Sequence, residues 1–336
     1  MKNRVSRFAA LAFAATLALG ACSTGISGSA EEGKVMILSL NQSESHPSFI
    51  ALEAFGERLK ERTAGRWDIL VYPNETLGAQ QEVIQLVSDG SVDMAIASGT
   101  QLENLNPEFA TLNLPTVFDS IEHQIAVLGN QEIVGDLFSS LEDSKNLTVL
   151  GGLTQGDRNL YTVEGPIVVP QDLNGMKIRV QESDLHIAMI NAMGGSATPM
   201  SYGEVYTALQ SGVLDGAENN EVSYVTQKHH EVAQYVARTR HLVGLDYMLI
   251  NSDLMNSMDP ADREILTEEW KNTVDNHVEL WLKNTDEAIA EAEANGSKFN
   301  DVDTEAFAAA LAPVVEDALT SDSARELYDN IRKAAK

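Results

Sequence analysis

Catalysis needs nucleophiles, bases, metal ligands or fixed charges at workable spacing, and most arrangements of that kind fail in this chain. Gly152-Leu153-Thr154-Gln155-Gly156 has the frame of a nucleophile elbow, but threonine replaces serine and no helical pattern follows directly. Turn glycines are the better account. His229-His230-Glu231 has the start of a zinc-binding helix, yet Gln234 stands where the second ligand is needed, and a solvated helix face explains it better. No G-x-G-x-x-G follows a strand pattern, no P-loop lysine motif is present, and the acidic residues are scattered without a carboxylate pair, so neither a cofactor nor a metal is expected. Nothing assembles a nucleophile, a base and an oxyanion site. One residue stands out: Arg179, inside the apolar strand pattern Met176-Lys177-Ile178-Arg179-Val180. Alternation puts it on the face of Lys177 and opposite Ile178 and Val180. Its ordinary reading is a salt-bridged surface arginine, and the text that follows it decides otherwise.

The elements that would position such a residue alternate short apolar runs with amphipathic stretches. Strand patterns fall at Lys34–Leu40, Trp67–Tyr72, Asp93–Ala97, Asn146–Leu153 and Met176–Val180. Helical patterns fall at Phe49–Arg62, Gln80–Ser88, Leu185–Met193 and Tyr202–Ser211. Alternation in units of about 30 residues predicts an α/β sheet with parallel strands. Leu86…Asp89-Gly90-Ser91-Val92-Asp93 and Leu209-Gln210-Ser211-Gly212-Val213-Leu214-Asp215 echo one another, either because two lobes are built alike or because this is a common helix-to-strand connection. Pro260–Ala294 keeps a helical period through Ile265, Leu266, Trp270, Val274, Val278 and Trp281, started by Asp259-Pro260 and stopped by Asn295-Gly296. A helix of that length spans a domain, so it is expected to cross between lobes.

The chain has 336 residues, with 23 Lys+Arg against 50 Asp+Glu and a net charge of −27. That length predicts two domains, and the charge excludes a general nucleic-acid surface, which needs basic residues in excess. Any anion site must be a local arginine cluster working against the overall field. A single cysteine, Cys22, excludes a disulfide framework within the chain. Lys2, Arg4 and Arg7 precede an apolar run from Phe8 to Leu19 and then Gly20-Ala21-Cys22, the pattern of a secretory signal. Leu19-Gly20-Ala21-Cys22 also reads as a lipobox, predicting a signal peptide at 1–21, acylation of Cys22 and a flexible tether over 22–33; a plain signal peptide with Cys22 incidental is the alternative. The mature body is expected on the extracytoplasmic face (the periplasm), touching the membrane only through that anchor.

Beyond Arg179 the text runs Gln181-Glu182-Ser183, then Thr198-Pro199-Met200-Ser201-Tyr202-Gly203-Glu204-Val205-Tyr206-Thr207-Ala208-Leu209-Gln210 and Asp215-Gly216-Ala217-Glu218-Asn219-Asn220. With Tyr72-Pro73…Leu77-Gly78, Ser91-Val92-Asp93 and Asn113-Leu114-Pro115, this resembles the solute-binding subunits of tripartite ATP-independent periplasmic (TRAP) transporters, the DctP-like family, from about residue 34 to the end. The resemblance implies a two-lobed α/β clamshell with crossing strands and a long helix spanning both lobes. Lobe I would take 34–155 plus about 245–283, and lobe II 156–244 plus about 284–336. Arg179 falls on the family's ligand-carboxylate arginine, a role suited to a planar fork that gives a carboxylate two charge-assisted hydrogen bonds. Arg158 falls where many members carry a second ligand arginine, with pairing to Asp157 as the alternative. Asn219 aligns with a ligand-bonding asparagine whose amide can also hold Arg179, and Tyr202 with a pocket aromatic. Loops beyond the strand ends add Asn41, His46, Gln81 and Ser98, with His46 equally suited to start a helix, and Asp246 in the crossing strand 243–250 is a candidate acceptor for sugar hydroxyls.

The function implied is capture of an organic acid, a hexuronate or related sugar acid above all, for delivery to a membrane permease, by a protein expected to be a monomer. Plain C4-dicarboxylates, keto acids and sialic acid are the alternatives within the family. An exported lyase-type enzyme acting on carboxylated sugars is the alternative of another class, with His46 or a tyrosine as its base. An ATP-driven uptake binding protein or sensor domain would share the clamshell but not the motifs.

Overall fold

The computed structural model describes residues 33–335. The predicted signal peptide, Cys22 and the tether up to residue 32 lie outside the described residues. From the start of the described chain, β1 (Lys34–Ser39), α1 (Pro47–Arg62), β2 (Trp67–Tyr72), α2 (Gln80–Ser88) and β3 (Met94–Ser98) follow in the predicted order. A stretch with no predicted elements then forms short helices, α3 (Gly99–Glu103), α4 (Ile121–Leu128), α5 (Gln131–Ser139) and α6 (Glu142–Lys145), with a 3-10 turn at Pro107–Asn113. The long strand β4 (Leu147–Thr162) leads into β5 (Lys177–Val180), α7 (Asp184–Ala192), β6 (Ser196–Pro199), α8 (Val205–Gln210), β7 (Gly216–Asn219) and α9 (Glu221–Thr226). A second long strand, β8 (Tyr235–Asn251), precedes α10 (Ser252–Ser257), α11 (Pro260–Ala294), β9 (Lys298–Asn300), α12 (Thr304–Ala318) and α13 (Asp322–Ala334).

The sheet runs β2-β1-β3-β8-β4-β7-β5-β6, with β9 added beside β8. Two trios, β2-β1-β3 and β6-β5-β7, are parallel within themselves. They are built alike down to one hydrogen bond. The Ile37 N–H donates to Asp93 Oδ2 at 2.8 Å, and the Lys177 N–H donates to Asp215 Oδ2 at 2.7 Å. Each aspartate follows a helix end and a positive-φ glycine, Gly90 or Gly212, so the echoed phrases mark two lobes of one design.

The parallel order within each lobe gives way to antiparallel pairing where the chain passes between lobes. β4 and β8 are antiparallel from Leu147↔Asn251 to Thr162↔Tyr235, with three register shifts. The first trio joins the C-terminal half of β8 and the second joins the C-terminal half of β4, so these two strands cross the seam in opposite directions. The Gly152–Gly156 segment is therefore strand, not turn. Gly151 and Gly156 of β4 admit the long helix: a Cβ on Gly156 (φ +58°) would meet Trp281 Nε1 at 2.4 Å, and one on Gly151 would meet Trp270 Nε1 at 2.4 Å.

α11 serves both lobes, as its period predicts. Its first half buries Leu266 and Trp270 against Leu52, Phe55 and Leu59 of α1, with Phe55 edge-on to Trp270 at 5.8 Å. Buried acids on the same stripe take arginines from the first lobe: Glu269 bonds Arg58 and Arg62, and Asp262 bonds Arg66. Its second half packs Trp281, Ala288 and Ala292 among Tyr161, Val205, Leu209 and Tyr224. Burying each such large side chain stabilises the fold by about 1.5–3 kcal/mol. The terminal helix α13 returns to the first lobe, where Arg332 Nη1 meets Asp119 Oδ1 at 2.6 Å and His123 Nε2 lies 2.9 Å from the Ile331 carbonyl.

Candidate functional site

The carboxyl ends of β1, β3, β5 and β7 meet at one gap between the lobes, floored by the middle of β4 and β8. Ligands of open α/β sheets bind at such ends. The gap is lined by Asn41 and Gln42 after β1, Ser98 at the end of β3, Arg179 of β5 and Gln181 just after it, and Asn219 of β7. Gln155 and Arg158 of β4, Asp246 of β8, Gln80 and Tyr202 complete it.

Two arginines lie here in opposite circumstances. Arg158 gives Glu218 a bidentate pair, Nε to Oε2 at 2.5 Å and Nη2 to Oε1 at 2.7 Å, and its Nη1 donates to Asn219 Oδ1 at 2.9 Å. Asp157, the partner that the alternative reading gave it, instead faces Arg240 at 3.5 Å. Burial would push Glu218 up, but Arg158 and the nearby His186 and His241 carry it well below the usual carboxylate range. The charge of Arg158 is therefore already answered. Arg179 is buried too, 3% exposed, yet no carboxylate lies within 4.0 Å of it among the described residues. Its Nε and Nη2 both donate to the Met200 carbonyl, at 3.0 and 2.7 Å, and its guanidinium lies 5.5 Å from the Tyr202 ring centre. Burial lowers its pKa from the ordinary arginine value. A desolvated cation without a counter-ion is what an incoming carboxylate would relieve.

The remaining polar groups are arranged around these charges. Asn219 Nδ2 donates to the Tyr202 hydroxyl at 3.2 Å, so Asn219 ties Tyr202 to Arg158 rather than holding Arg179 as the sequence suggested. Burial pushes Tyr202 up to about 12 and Asp246 up to about 7, the latter against the pull of Arg158.

Bonds from lobe to lobe hold the gap shut. Gln181 Oε1 accepts from Ser98 Oγ at 2.6 Å and from Thr100 Oγ1. Ser183 Oγ donates to Glu103 Oε2 at 2.6 Å, the Gly203 N–H donates to Glu75 Oε2 at 3.0 Å, and Asn104 Nδ2 donates to the Glu182 carbonyl at 3.3 Å. The enclosed cavity is about 20 Å³. That is room for about one water, so any larger guest requires the lobes to part.

Of the residues named from sequence, Arg179, Arg158, Asn219, Tyr202, Asn41, Ser98 and Asp246 converge on this gap. Gln81 does not. It is exposed on α2, and its neighbour Gln80 turns inward, where its Oε1 accepts from the Ser98 N–H at 2.6 Å. His46 does not line the gap either. It caps α1, its Nδ1 accepting from the Ser48 N–H at 3.1 Å, and it packs edge-on to Trp281 at 5.6 Å. Its other nitrogen lies 3.3 Å from Ser223 Oγ, and burial followed by His277 lowers its pKa well below the ordinary histidine value. His229-His230-Glu231 is a 3-10 turn with both histidines buried rather than a solvated helix face; His229 Nδ1 lies 2.7 Å from the Tyr161 hydroxyl. Glu218 and Gln181 escaped the sequence reading, although Gln181 lies only two residues from Arg179, just past the end of β5. Among the described residues no group of three or more His, Cys, Asp or Glu is gathered for a metal ion, and no helix is long and apolar enough to cross a membrane.

Residues 38–322 match the profile of the bacterial extracellular solute-binding proteins, family 7. A solute-binding protein of Chromohalobacter salexigens is 34% identical over 273 residues, covering 81% of each chain. Among solved structures, a TRAP periplasmic solute-binding protein of Anaerococcus prevotii with bound α/β-D-glucuronate superposes with a TM-score of 0.87 at 35% identity, covering 89% of this chain and 97% of that one. A counterpart from Sulfitobacter sp. NAS-14.1 with bound β-D-galacturonate gives 0.84 at 32% identity, covering 89% of this chain and all (100%) of the other.

Proposed function

The chain belongs to family 7 of the bacterial extracellular solute-binding proteins, and from that premise we propose that it captures a hexuronate or related sugar acid and hands it to a TRAP membrane permease. As a member of this family it is a binding protein and not an enzyme. The observation that carries the ligand reading is Arg179, a buried guanidinium with no carboxylate within 4.0 Å among the described residues, at the mouth of a cleft between lobes. A ligand carboxylate seated there would gain a fork of charge-assisted hydrogen bonds at lowered dielectric. Asn41, Ser98, Asp246, Tyr202 and Asn219 are the groups we assign to the sugar hydroxyls, with Arg158 acting beside them through its outer edge. The glucuronate and galacturonate held by similar proteins support the same class.

In this reading lobe I comprises 34–155 with about 245–283, and lobe II 156–244 with about 284–336, save that α13 packs back on lobe I, the crossing strands and α11 forming the hinge. A signal peptide at 1–21 exports the chain, Cys22 carries the lipid, residues 22–33 tether the body, and the protein works as a monomer at the extracytoplasmic face. The lyase alternative loses His46, which is buried as a helix cap away from the cleft, and is left with Tyr202, whose hydroxyl burial raises to about 12, far above the range of a useful general base. The test is a thermal-shift screen over hexuronates, C4-dicarboxylates and keto acids, with the ligand recovered afterwards. Binding to the native state alone raises Tm by mass action. The reading fails if no sugar acid raises Tm while a dicarboxylate or keto acid does, or if the recovered ligand has been converted.

A further inference from the structure

The cleft carries a second ionisable group without a partner, an acid that burial raises to about 7 and that is an anion above that pH. Asp246 stands on β8 opposite Ser98 of β3 and Leu153 of β4. It is 5% exposed and lines the same cavity as Arg179. Among the described residues its carboxylate takes part in no hydrogen bond, and no Lys, Arg or His nitrogen lies within 4.0 Å of it. Arg158 is the cation whose field reaches it, but the fork of Arg158 is occupied by Glu218. Around Asp246 the unmet hydrogen-bonding capacity is of the accepting kind. Asn41 Oδ1, Gln42 Oε1 and Gln155 Oε1 are buried without a donor, and all three residues line this cavity.

The charges in the cavity wall therefore divide into a closed pair, Arg158–Glu218, and two open groups, Arg179 and Asp246. A guest with one carboxylate and several hydroxyls answers both: the anion meets Arg179, and hydroxyl donors meet Asp246 and the amide oxygens. A guest with a second carboxylate brings an anion to a wall that already holds an unpaired anion and no spare cation. Like-charge juxtaposition in a desolvated site is a strong means of rejecting the wrong ligand.

We propose that Asp246 is a specificity-determining residue that admits monocarboxylated polyols and rejects dicarboxylates. The proposal rests on the sugar-acid reading above and deepens it, giving the side chain that separates this protein's ligand class from the C4-dicarboxylates and aldarates.

Titration calorimetry at pH 8.5, where Asp246 is ionised, of the full mature chain and of Asp246→Asn with D-glucuronate, D-glucarate and L-malate tests it. The wild type should bind D-glucuronate at least about a hundredfold more tightly than either dicarboxylate, the effect of an unpaired like charge. Asp246→Asn should lose about tenfold for D-glucuronate, as a charged acceptor becomes neutral. The same variant should gain at least about tenfold for D-glucarate, so that the preference narrows to about tenfold or less. An unchanged glucuronate-to-glucarate ratio in the folded variant overturns the role of Asp246 while leaving the sugar-acid reading intact. Wild-type binding of D-glucarate or L-malate within threefold of D-glucuronate overturns the proposal without any variant, and so stands even where Asp246→Asn fails to fold. A wild type that binds no hexuronate at all removes the reading beneath it, and that result is visible before the variant is made.

Discussion

Arg179→Ala removes the single buried cation in the cleft that has no acid within 4.0 Å among the described residues. In the closed cleft the ligand carboxylate would then be a desolvated anion without compensation, a loss of about 3–5 kcal/mol. At 1.4 kcal/mol per tenfold, affinity should fall by roughly a hundredfold to a few thousandfold. Arg158 cannot take over, because its fork is spent on Glu218. Arg179→Lys keeps the charge but loses the planar fork, so it should bind more weakly than the wild type and more tightly than Arg179→Ala. The ligand-free protein should keep its Tm within a few degrees, since the guanidinium is held only by the Met200 carbonyl and the face of Tyr202. Calorimetric titration of the three proteins with the best hit of the sugar-acid screen, alongside melts of each without ligand, reads both quantities. Affinity of Arg179→Ala within threefold of wild type, with the fold intact, would refute the assignment and place the carboxylate elsewhere.

Glu218→Gln strands the buried Arg158 charge, and the free protein should melt about 10 °C lower by differential scanning fluorimetry; an unchanged Tm would show that the pair is not structural. Saturating ligand should lower the radius of gyration measured by small-angle scattering, because a guest must enter through an open form and bridge both lobes, and an unchanged radius would count against hinge closure. Cys22→Ser should move the mature protein from the detergent phase to the aqueous phase on phase separation, and identical partitioning would end the lipobox reading. Burial raises Glu103 from 4.5 to about 7, so the folded state holds a proton there that the unfolded state has released. That stabilisation is full below pH 4.5 and lost as pH rises through about 7. It amounts to up to about 3 kcal/mol. Glu103→Gln should therefore lose less Tm than the wild type between pH 4.5 and pH 8, and parallel curves would contradict this.

Much of the architecture is legible because it rests on local pattern. The bounds of Trp67–Tyr72, Gln80–Ser88 and Pro260–Ala294 coincide with the periodic signal, which is strong in long or cleanly punctuated segments. Residues 99–145 form helices of four to nine residues, too short for a period to show. The crossing strands run longer than their apolar cores suggest, because their central residues face a cleft and are chosen for polarity. Arg179 is conspicuous as a charge inside an apolar strand. Glu218 is not, since its meaning depends on Arg158, sixty positions away in the chain. Gln81 and Gln80 differ by one step of a helix, about 100° of rotation, and sequence position alone does not say which faces inward. His46 shows the converse, a side chain placed rightly at a helix start but wrongly in the cleft.

The bonds that join Gln181 to Ser98 and Thr100, Ser183 to Glu103 and Gly203 to Glu75 run from protein to protein. They favour the shut form equally whether or not it is loaded. While the unloaded protein is mostly open, each such bond tightens apparent affinity one for one. Once it spends half its time shut, further bonds stabilise loaded and unloaded forms together, and the gain in affinity fades. Entry nonetheless keeps slowing, because the guest must wait for the lobes to part. An unloaded but shut binder also presents the permease with the same outline as a loaded one, and would occupy it without cargo. The strength of these few contacts thus sets a compromise between scavenging dilute solute and idling the transporter.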